Sequence, residues 1–312
     1  MGTTRWSDDH YRDRARLRAR TGRDAFLHDH AIRAGEAAPV VHEKMNPRGV
    51  KARESRDSAA HPRSHAVGVL FDVTGSMQGV PRILQANLPK LMNMLLRKGY
   101  LDHPQILIGA IGDATCDRGP LQVGQFESGI EIEDDLGKLF LEGGGGGQAT
   151  ESYELAMYFM ARHTSIDCHE KRGKKGYLFI IGDEAPYPQV KRREVARVIG
   201  DRPQADLPVK AMIAELRQAW EVYFIIPRMT MYWNNKSIHR RWAQLLGQNV
   251  LRLEDPAGIC ELIASTIGLV EGKVDLDDLA GDLEEAGSSA AVSRAVGQAL
   301  VTASTGPGTG PN

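Results

Sequence analysis

Short, fully apolar segments recur through the middle of this chain and limit its possible folds more than any other feature. The clearest are residues 66–71 and 176–181, each followed at once by a polar turn. Such a run, without polar alternation, is typical of a strand buried on both faces. Segments with helical periodicity, such as residues 84–95, separate these runs. The pattern predicts an α/β fold, with a doubly wound, mostly parallel sheet, helices on both faces and a short antiparallel edge strand at residues 120–126.

The alternating pattern defines the expected domain boundaries. It covers residues 64–272 and predicts a single domain there. Residues 1–63 are basic and have few periodic apolar positions, so we expect a largely disordered arm with one short helix near residues 8–20. Residues 273–312 are acidic and predict a helical tail, which ends in a disordered segment rich in Gly and Pro.

Charge and cysteine content exclude some classes of protein. The formal net charge of −1 argues against a surface that coats nucleic acid. The three cysteines are odd in number and far apart, which favours a reducing compartment over a disulfide framework. No apolar stretch reaches the ~20 residues of a membrane span, and the first residues lack the apolar core of a secretory signal. We therefore expect a cytoplasmic protein without a membrane anchor.

The turn after the first apolar run carries the main chemical signal. It places Asp72, Thr74 and Ser76 at alternate positions directly after a predicted buried strand. In open α/β sheets, ligands bind at the carboxyl ends of the strands. One carboxylate and two hydroxyls are hard oxygen donors, which suit Mg²⁺, Mn²⁺ or Ca²⁺ better than a soft metal. The turn therefore predicts a site for a divalent cation.

Two later segments extend this signal. A run of five glycines leads to Thr150, and Asp183 follows the apolar run at residues 176–181. Together with the turn at residues 72–76, this order resembles the von Willebrand factor A (vWA) family and its metal-ion-dependent adhesion site. That family has Asp-x-Ser-x-Ser, then Thr in a glycine-rich loop, then Asp after a later strand. The glycines of the run are Gly143, Gly144, Gly145, Gly146 and Gly147.

The resemblance implies a non-catalytic protein-interaction module with a vWA fold of the soluble bacterial type. The implied metal ligands are Asp72, Thr74, Ser76, Thr150 and Asp183, and the implied cofactor is Mg²⁺, or else Mn²⁺ or Ca²⁺. In the family, a Glu or Asp of a partner protein fills an open position on the metal. The five glycines of this chain would let the backbone approach the metal closely and shift on binding. Soluble relatives often act as adaptors for MoxR-type AAA+ ATPases or in stress-response and conflict systems, which gives the expected class of partner.

Three positions depart from the family pattern or add to it. Thr74 stands where the family has Ser, and it keeps the hydroxyl. Glu184 stands where many relatives have Gly. It either adds negative charge at the rim or faces solvent, and the second interpretation is favoured. Asp113 ends the predicted strand at residues 105–111, from which it could support the metal ligands.

Two alternative functions remain. The turn also resembles that of haloacid-dehalogenase-type phosphatases, with Asp72 as the nucleophile. That interpretation lacks the required acid a few residues past Asp183 and leaves Thr150 unexplained. The second alternative is an RNA-binding vWA protein of the Ro type, using the arginines at residues 12–20. The chain has no room for that family's helical ring, so binding of nucleic acid is disfavoured.

Overall fold

A computed structural model of the chain describes residues 2–77, 79–144, 147 and 149–304. Its strands are β1 (Arg53–Ser55), β2 (His65–Asp72), β3 (Pro104–Ile111), β4 (Leu121–Glu127), β5 (Thr150–Glu151), β6 (Thr164–Ile166), β7 (Gly176–Ile181), β8 (Ala185–Pro186), β9 (Gln189–Val190), β10 (Leu207–Pro208), β11 (Trp220–Pro227) and β12 (Val250–Leu253). Its helices are α1 (Asp8–Thr21), α2 (Leu27–Arg33), α3 (Val80–Leu96), α4 (Glu131–Gly137), α5 (Tyr153–Arg162), α6 (Asp167–Glu170), α7 (Arg192–Val198), α8 (Val209–Leu216), α9 (Lys236–Leu246), α10 (Ile259–Val270), α11 (Leu279–Glu285) and α12 (Ala290–Ser304). Short 3-10 helices lie at Glu43–Met45, Gly75–Met77 and Pro256–Gly258.

Six strands form the central sheet in the order β12-β11-β7-β2-β3-β4. All neighbouring pairs are parallel except β3 and β4, which pair antiparallel at one edge. Helices cover both faces of this sheet. The buried apolar side chains accordingly form two clusters, one on each side. The predicted fold class is therefore confirmed, including the short antiparallel edge strand.

The strand β2 is buried on both faces, as its unbroken apolar sequence predicts. Val67, Val69 and Phe71 join the cluster that also contains the apolar face of α3. Ala66 and Leu70 join the opposite cluster, which contains the apolar face of α5. None of these five side chains is exposed to solvent. Burial on both sides holds β2 at the centre of the sheet and fixes the position of the turn that follows it.

The strand order reverses between β2 and β7. From β2 the chain moves outward to β3 and β4, and it then returns to β7 on the other side of β2 before continuing to β11 and β12. Phe71 pairs with Ile181 in the parallel register of β2 and β7. The residues that follow these two strands therefore emerge side by side. Such a reversal point is where open α/β sheets bind ligands.

The segment before β2, residues 1–63, differs from the disordered arm that the sequence predicted. It contains α1 and α2, and β1 pairs in parallel with β6. Tyr11, Phe26 and Met45 are buried in the same cluster as α3. The hydroxyl of Tyr11 donates a hydrogen bond of 2.6 Å to the Gln85 carbonyl oxygen. A few large side chains, widely spaced along a polar segment, are enough to fasten it to the body of the protein.

The acidic segment after residue 272 also packs on the domain. Leu283 of α11 and Val296 of α12 are buried against the cluster that contains α3 and α10. Lys98 pairs with Asp282 at 2.8 Å, so the acidic face of α11 lies against a basic side chain. The Gly/Pro-rich end, residues 305–312, lies outside the described residues. Among the described residues, every helix is too short or too polar to cross a bilayer.

Candidate functional site

The turn after β2 is closed by hydrogen bonds to the carboxylate of Asp72. Both the backbone N–H and the hydroxyl of Thr74 donate to Oδ1 of Asp72, at 2.7 and 2.6 Å. This is the local bond by which an Asp side chain stabilises a turn. The chain then enters the 3-10 helix Gly75–Met77, which carries Ser76. The sequence therefore directs Asp72, Thr74 and Ser76 towards one point.

Asp183 joins this point from the neighbouring strand. The hydroxyl of Ser76 donates to Oδ1 of Asp183 at 2.8 Å, and the N–H of Tyr232 donates to Oδ2 at 2.9 Å. The hydroxyls of Thr74 and Ser76 are 3.4 Å apart. Four of the five predicted ligands thus form one hydrogen-bonded group: Asp72, Thr74, Ser76 and Asp183.

Thr150, the fifth predicted ligand, has other neighbours. It lies in β5, which pairs with β8, and its hydroxyl is hydrogen-bonded with the hydroxyl of Tyr187. In the part of the chain that the structure describes, no hydrogen bond connects Thr150 to Asp72 or Asp183. The sequence predicts Thr150 as a ligand beside these side chains, whereas the structure places it outside the hydrogen-bonded group.

The glycine loop contacts the turn through its backbone. The N–H of Gly75 donates to the carbonyl oxygen of Gly144 at 2.7 Å, and that of Gly143 donates to the carbonyl of Val73 at 3.2 Å. A Cβ atom on Gly75 would lie 3.1 Å from the Gly143 carbonyl oxygen, which leaves little room for a side chain. Two of the glycines predicted to form the flexible part, Gly145 and Gly146, lie outside the described residues.

Two glutamates that the predicted ligand set does not contain lie beside Asp72. Glu151 and Glu184 each place a carboxylate oxygen within 4.8 Å of the other and of an Asp72 oxygen. Glu184 is only 7% exposed, so the expectation that it faces solvent is wrong. Its carbonyl oxygen accepts a 2.7 Å hydrogen bond from the indole N–H of Trp242, which holds this segment against the core. We call Asp72, Glu151 and Glu184 the carboxylate cluster.

Tyr153 holds the second oxygen of Asp72. Its hydroxyl donates to Oδ2 at 2.9 Å and lies 3.4 Å from the N–H of Glu184. The ring is fully buried and meets Phe224 and Trp242 edge-on, with centroids 5.4 and 5.5 Å away. The two oxygens of Asp72 therefore face different surroundings, with hydroxyls of the turn on one side and Tyr153 with Glu184 on the other.

Burial and mutual repulsion raise the pKa values of these acids. Burial is the main cause for Asp72, whose pKa rises to about 7, and the negative charge of Asp183 adds to the effect. Burial likewise raises the pKa values of Glu151 and Glu184, and the two carboxyl groups hydrogen-bond to each other. The pKa of Asp183 is raised too, again mainly by burial.

No cationic side chain in the described residues offsets this charge at Asp72, Glu151, Asp183 or Glu184. Buried carboxylates are ordinarily paired with a cation or coordinated to a metal. In addition, Oε2 of Glu151 is buried and receives no hydrogen bond from the described residues. The donor set therefore fits a hard divalent cation in its chemistry, and Asp72, Thr74, Ser76 and Asp183 are the side chains that could hold it.

Asp113 belongs to a neighbouring group of polar side chains. Its Oδ2 accepts a 3.0 Å hydrogen bond from the hydroxyl of Tyr187, and its Oδ1 accepts one of 2.7 Å from the N–H of Thr115. Its own N–H donates to Asp117 at 2.7 Å. Since Tyr187 also contacts Thr150, that tyrosine connects Asp113 to one of the predicted ligands.

The surface around the site offers two features to a partner. A groove of 880 Å³ opens beside Thr74 and is lined by Arg33, Arg118 and Glu142 among others. On the other side, the loop after β11 exposes Met229 and Met231, which are 50% and 72% accessible. The loop is tied to the site by the bond from Tyr232 to Asp183 already described. The rim of the site thus combines apolar and charged surface.

Comparisons with known proteins extend only to solved structures, since no family profile and no curated protein matches the sequence. Similar structures include the pilus adhesin SpaC from Lactobacillus rhamnosus GG in its open conformation, with a TM-score of 0.46 and 8% identity over 74% of this chain and 31% of the adhesin. Proximal thread matrix protein 1 from the mussel byssus has a TM-score of 0.41 and 12% identity, over 71% of this chain and 49% of its own. A von Willebrand factor type A protein from Catenulispora acidiphila has a TM-score of 0.40 and 15% identity, over 67% and 43%.

The chain spans between 31% and 49% of the length of these three solved chains. At such low identities and TM-scores they identify neither ligand nor partner nor activity. The strand order and the reversal point between β2 and β7 define the α/β fold of this chain.

Proposed function

We propose that this protein is a non-catalytic, divalent-metal-dependent module for protein–protein interaction. One observation carries the proposal: Asp72, Thr74, Ser76 and Asp183 form a hydrogen-bonded group at the reversal point of the sheet. Neighbouring side-chain oxygens of this group are 2.6 to 3.4 Å apart, in a buried region with excess negative charge. Oxygen atoms at such spacing suit a small hard cation, with Mg²⁺, Mn²⁺ and Ca²⁺ as the candidates.

The bound cation would supply a local positive charge that attracts an anionic group. Hydroxyl ligands add no negative charge, so the ion keeps part of its attraction for a further oxygen ligand. A carboxylate of a partner protein, from Asp or Glu, is the proposed incoming group. A partner of the MoxR-type AAA+ class, or one from a stress or conflict system, belongs to the same proposal through the sequence resemblance.

The surroundings of the site support recognition of a protein. Exposed methionines are common at surfaces that adapt to partners, because the side chain is flexible and polarisable. Met229 and Met231 lie on the loop that holds Asp183, and the groove that begins at Thr74 is lined by arginines and acids in equal number. A partner segment with apolar and charged residues around its metal-binding acid would meet both features. Asp72 itself is unexposed and accepts hydrogen bonds on both oxygens, which gives it little scope as a nucleophile.

Metal binding to the purified protein tests the proposal directly. Thermal unfolding is followed with EDTA and with increasing Mg²⁺, Mn²⁺ or Ca²⁺, for the wild type and for Asp183→Asn. A cation at a hundred times its dissociation constant stabilises the folded state by about 2.7 kcal/mol. We expect this stabilisation in the wild type and its loss in Asp183→Asn. Asp277→Asn, at an exposed position on the C-terminal segment, is the matched control and should respond like the wild type.

Partner recognition needs a second experiment. Affinity capture compares the wild type, Asp183→Asn, Asp277→Asn and EDTA-treated wild type. A partner retained by the wild type and the control, and lost from the other two samples, supports the module. Equal recovery in all four samples contradicts it. Metal-dependent hydrolysis of a generic phosphate ester that disappears in Asp72→Asn would instead establish the phosphatase alternative.

A further inference from the structure

We propose that the carboxylate cluster of Asp72, Glu151 and Glu184 binds a second divalent cation, with Asp72 bridging it to the first. This inference rests on the proposed function, because it assigns further residues to the same site. It concerns glutamates that the vWA pattern does not include.

The two carboxylate oxygens of Asp72 face two different groups of side chains. Oδ1 of Asp72 faces Thr74, whereas Oδ2 lies 2.9 Å from the hydroxyl of Tyr153, which itself approaches the backbone of Glu184. The three carboxylates of the cluster place oxygens within 4.8 Å of one another, and Asp183 is not among them. Asp72 is thus the one side chain shared by the cluster and the hydrogen-bonded group. Bridging carboxylates of this kind occur where two metal ions lie close together.

An unsatisfied atom provides independent support. Glu151 is 2% exposed, and its Oε2 is buried without a donor among the described residues. A buried oxygen without a hydrogen bond is energetically unfavourable, which raises the free energy of the folded state. Its carboxyl group lies against those of Glu184 and Asp72, so the unsatisfied oxygen belongs to a side chain that faces other acids. Coordination to a cation would satisfy it.

Charge balance favours two ions over one. Asp72, Asp183, Glu151 and Glu184 would carry four negative charges when ionised, and a single divalent ion offsets two of them. The remaining negative charge would weaken the attraction of the first ion for the carboxylate of a partner. A second divalent ion in the cluster would offset that charge, so the two-ion site is consistent with recognition of an acidic residue. Three carboxylates with no nitrogen or sulfur donor select a hard cation for this second position.

The number of Mn²⁺ ions bound per chain tests whether the second site exists. Mn²⁺ binding to the intact chain is measured by calorimetry, and free Mn²⁺ is counted independently from its electron paramagnetic resonance signal. The wild type should bind two ions per chain, and Glu151→Gln/Glu184→Gln should bind one. Glu254→Gln, which removes an exposed glutamate after β12 at the same edge of the sheet, should still bind two. Unfolding in EDTA checks that the double variant folds.

Any other number of bound ions contradicts the second site. One ion in the wild type overturns the second site and leaves the proposed function standing. Two ions in both the wild type and the double variant also overturn it, because the glutamates are then not ligands. No binding by a wild type that is folded refutes the inference and the proposed function together.

Discussion

Replacement of Gly182 by Ala tests how the site is held together. Gly182 follows β7 directly, and a Cβ atom there would lie 2.1 Å from the hydroxyl oxygen of Tyr153 and 2.7 and 2.8 Å from two of its ring carbons. Ordinary contacts begin at 3.4 Å, so the hydroxyl would have to retreat by more than an ångström. The ring cannot easily do so, because it is fully buried and packs edge-on against the stacked rings of Phe224 and Trp242.

Three contributions determine how far Gly182→Ala should lower the free energy of unfolding. Overpacking of a rigid core costs about 1–3 kcal/mol. Displacement of the Tyr153 hydroxyl leaves Oδ2 of Asp72 without its donor, which costs about 1–3 kcal/mol more. The smaller conformational entropy of Ala in the unfolded chain returns about 0.4–1 kcal/mol. The free energy of unfolding should therefore fall by about 3 kcal/mol.

Denaturant unfolding measured in EDTA provides the assay, so that metal binding does not contribute. Gly281→Ala in α11 is the matched control, since a Cβ atom there meets nothing within 4 Å. It should stabilise the protein, by up to about 1 kcal/mol, through its higher helix propensity. Tyr153→Phe isolates the lost hydrogen bond. Unobstructed surface substitutions change the free energy of unfolding by less than about 0.5 kcal/mol. An effect that small for Gly182→Ala would show that Tyr153 is free to move and would contradict the prediction.

Two further predictions address the rest of the fold. Phe26→Ala should lower the free energy of unfolding by about 3–5 kcal/mol, because Phe26 is fully buried, whereas Leu27→Ala, at a neighbouring side chain that is 51% exposed, should change it by about 0.5 kcal/mol or less. Equal small effects would show that residues 1–63 behave as the loose arm expected from sequence. Burial lowers the pKa of His65 below its ordinary 6.5, so as the pH falls the unfolded chain gains a proton on this residue before the folded protein does. The contribution of His65 to the free energy of unfolding should therefore fall by up to about 1.4 kcal/mol per pH unit as the pH drops below 6.5 towards the lowered pKa. The difference in unfolding free energy between the wild type and His65→Gln should fall by the same amount in this range, and a difference that does not change with pH would contradict the assignment.

The strands could be predicted from sequence because their burial is continuous. Along β2 and β7 every side chain enters one of the two apolar clusters or lies at the protected strand end, so hydrophobicity alone identifies them. The segment at residues 1–63 has no such signal. Its attachment depends on Tyr11, Phe26 and Met45, which are too far apart in sequence to produce a periodic pattern. Single anchoring side chains are visible only once the surface that receives them is known.

The sequence could predict only those site residues that lie together in one turn or directly follow the end of a strand. Asp72, Thr74 and Ser76 lie in one turn, and Asp183 follows the strand next to β2, so both placements come from simple rules. Thr150, by contrast, follows a long loop whose path no local rule determines. Glu151 and Glu184 were not predicted as ligands because glutamates in such loops usually face water. The available signal was that each directly follows a predicted ligand, Thr150 and Asp183.

The pairing of β2 with β7 links the site to the folding of the whole sheet. Asp72 and Asp183 are far apart in sequence and become neighbours only when these two strands meet. Contacts between such distant segments form late, because closing a long loop must precede them. An unfolded or half-assembled chain would therefore present scattered acids with little affinity for a cation. Uptake of the ion would then mark the moment at which the two halves of the sheet have joined.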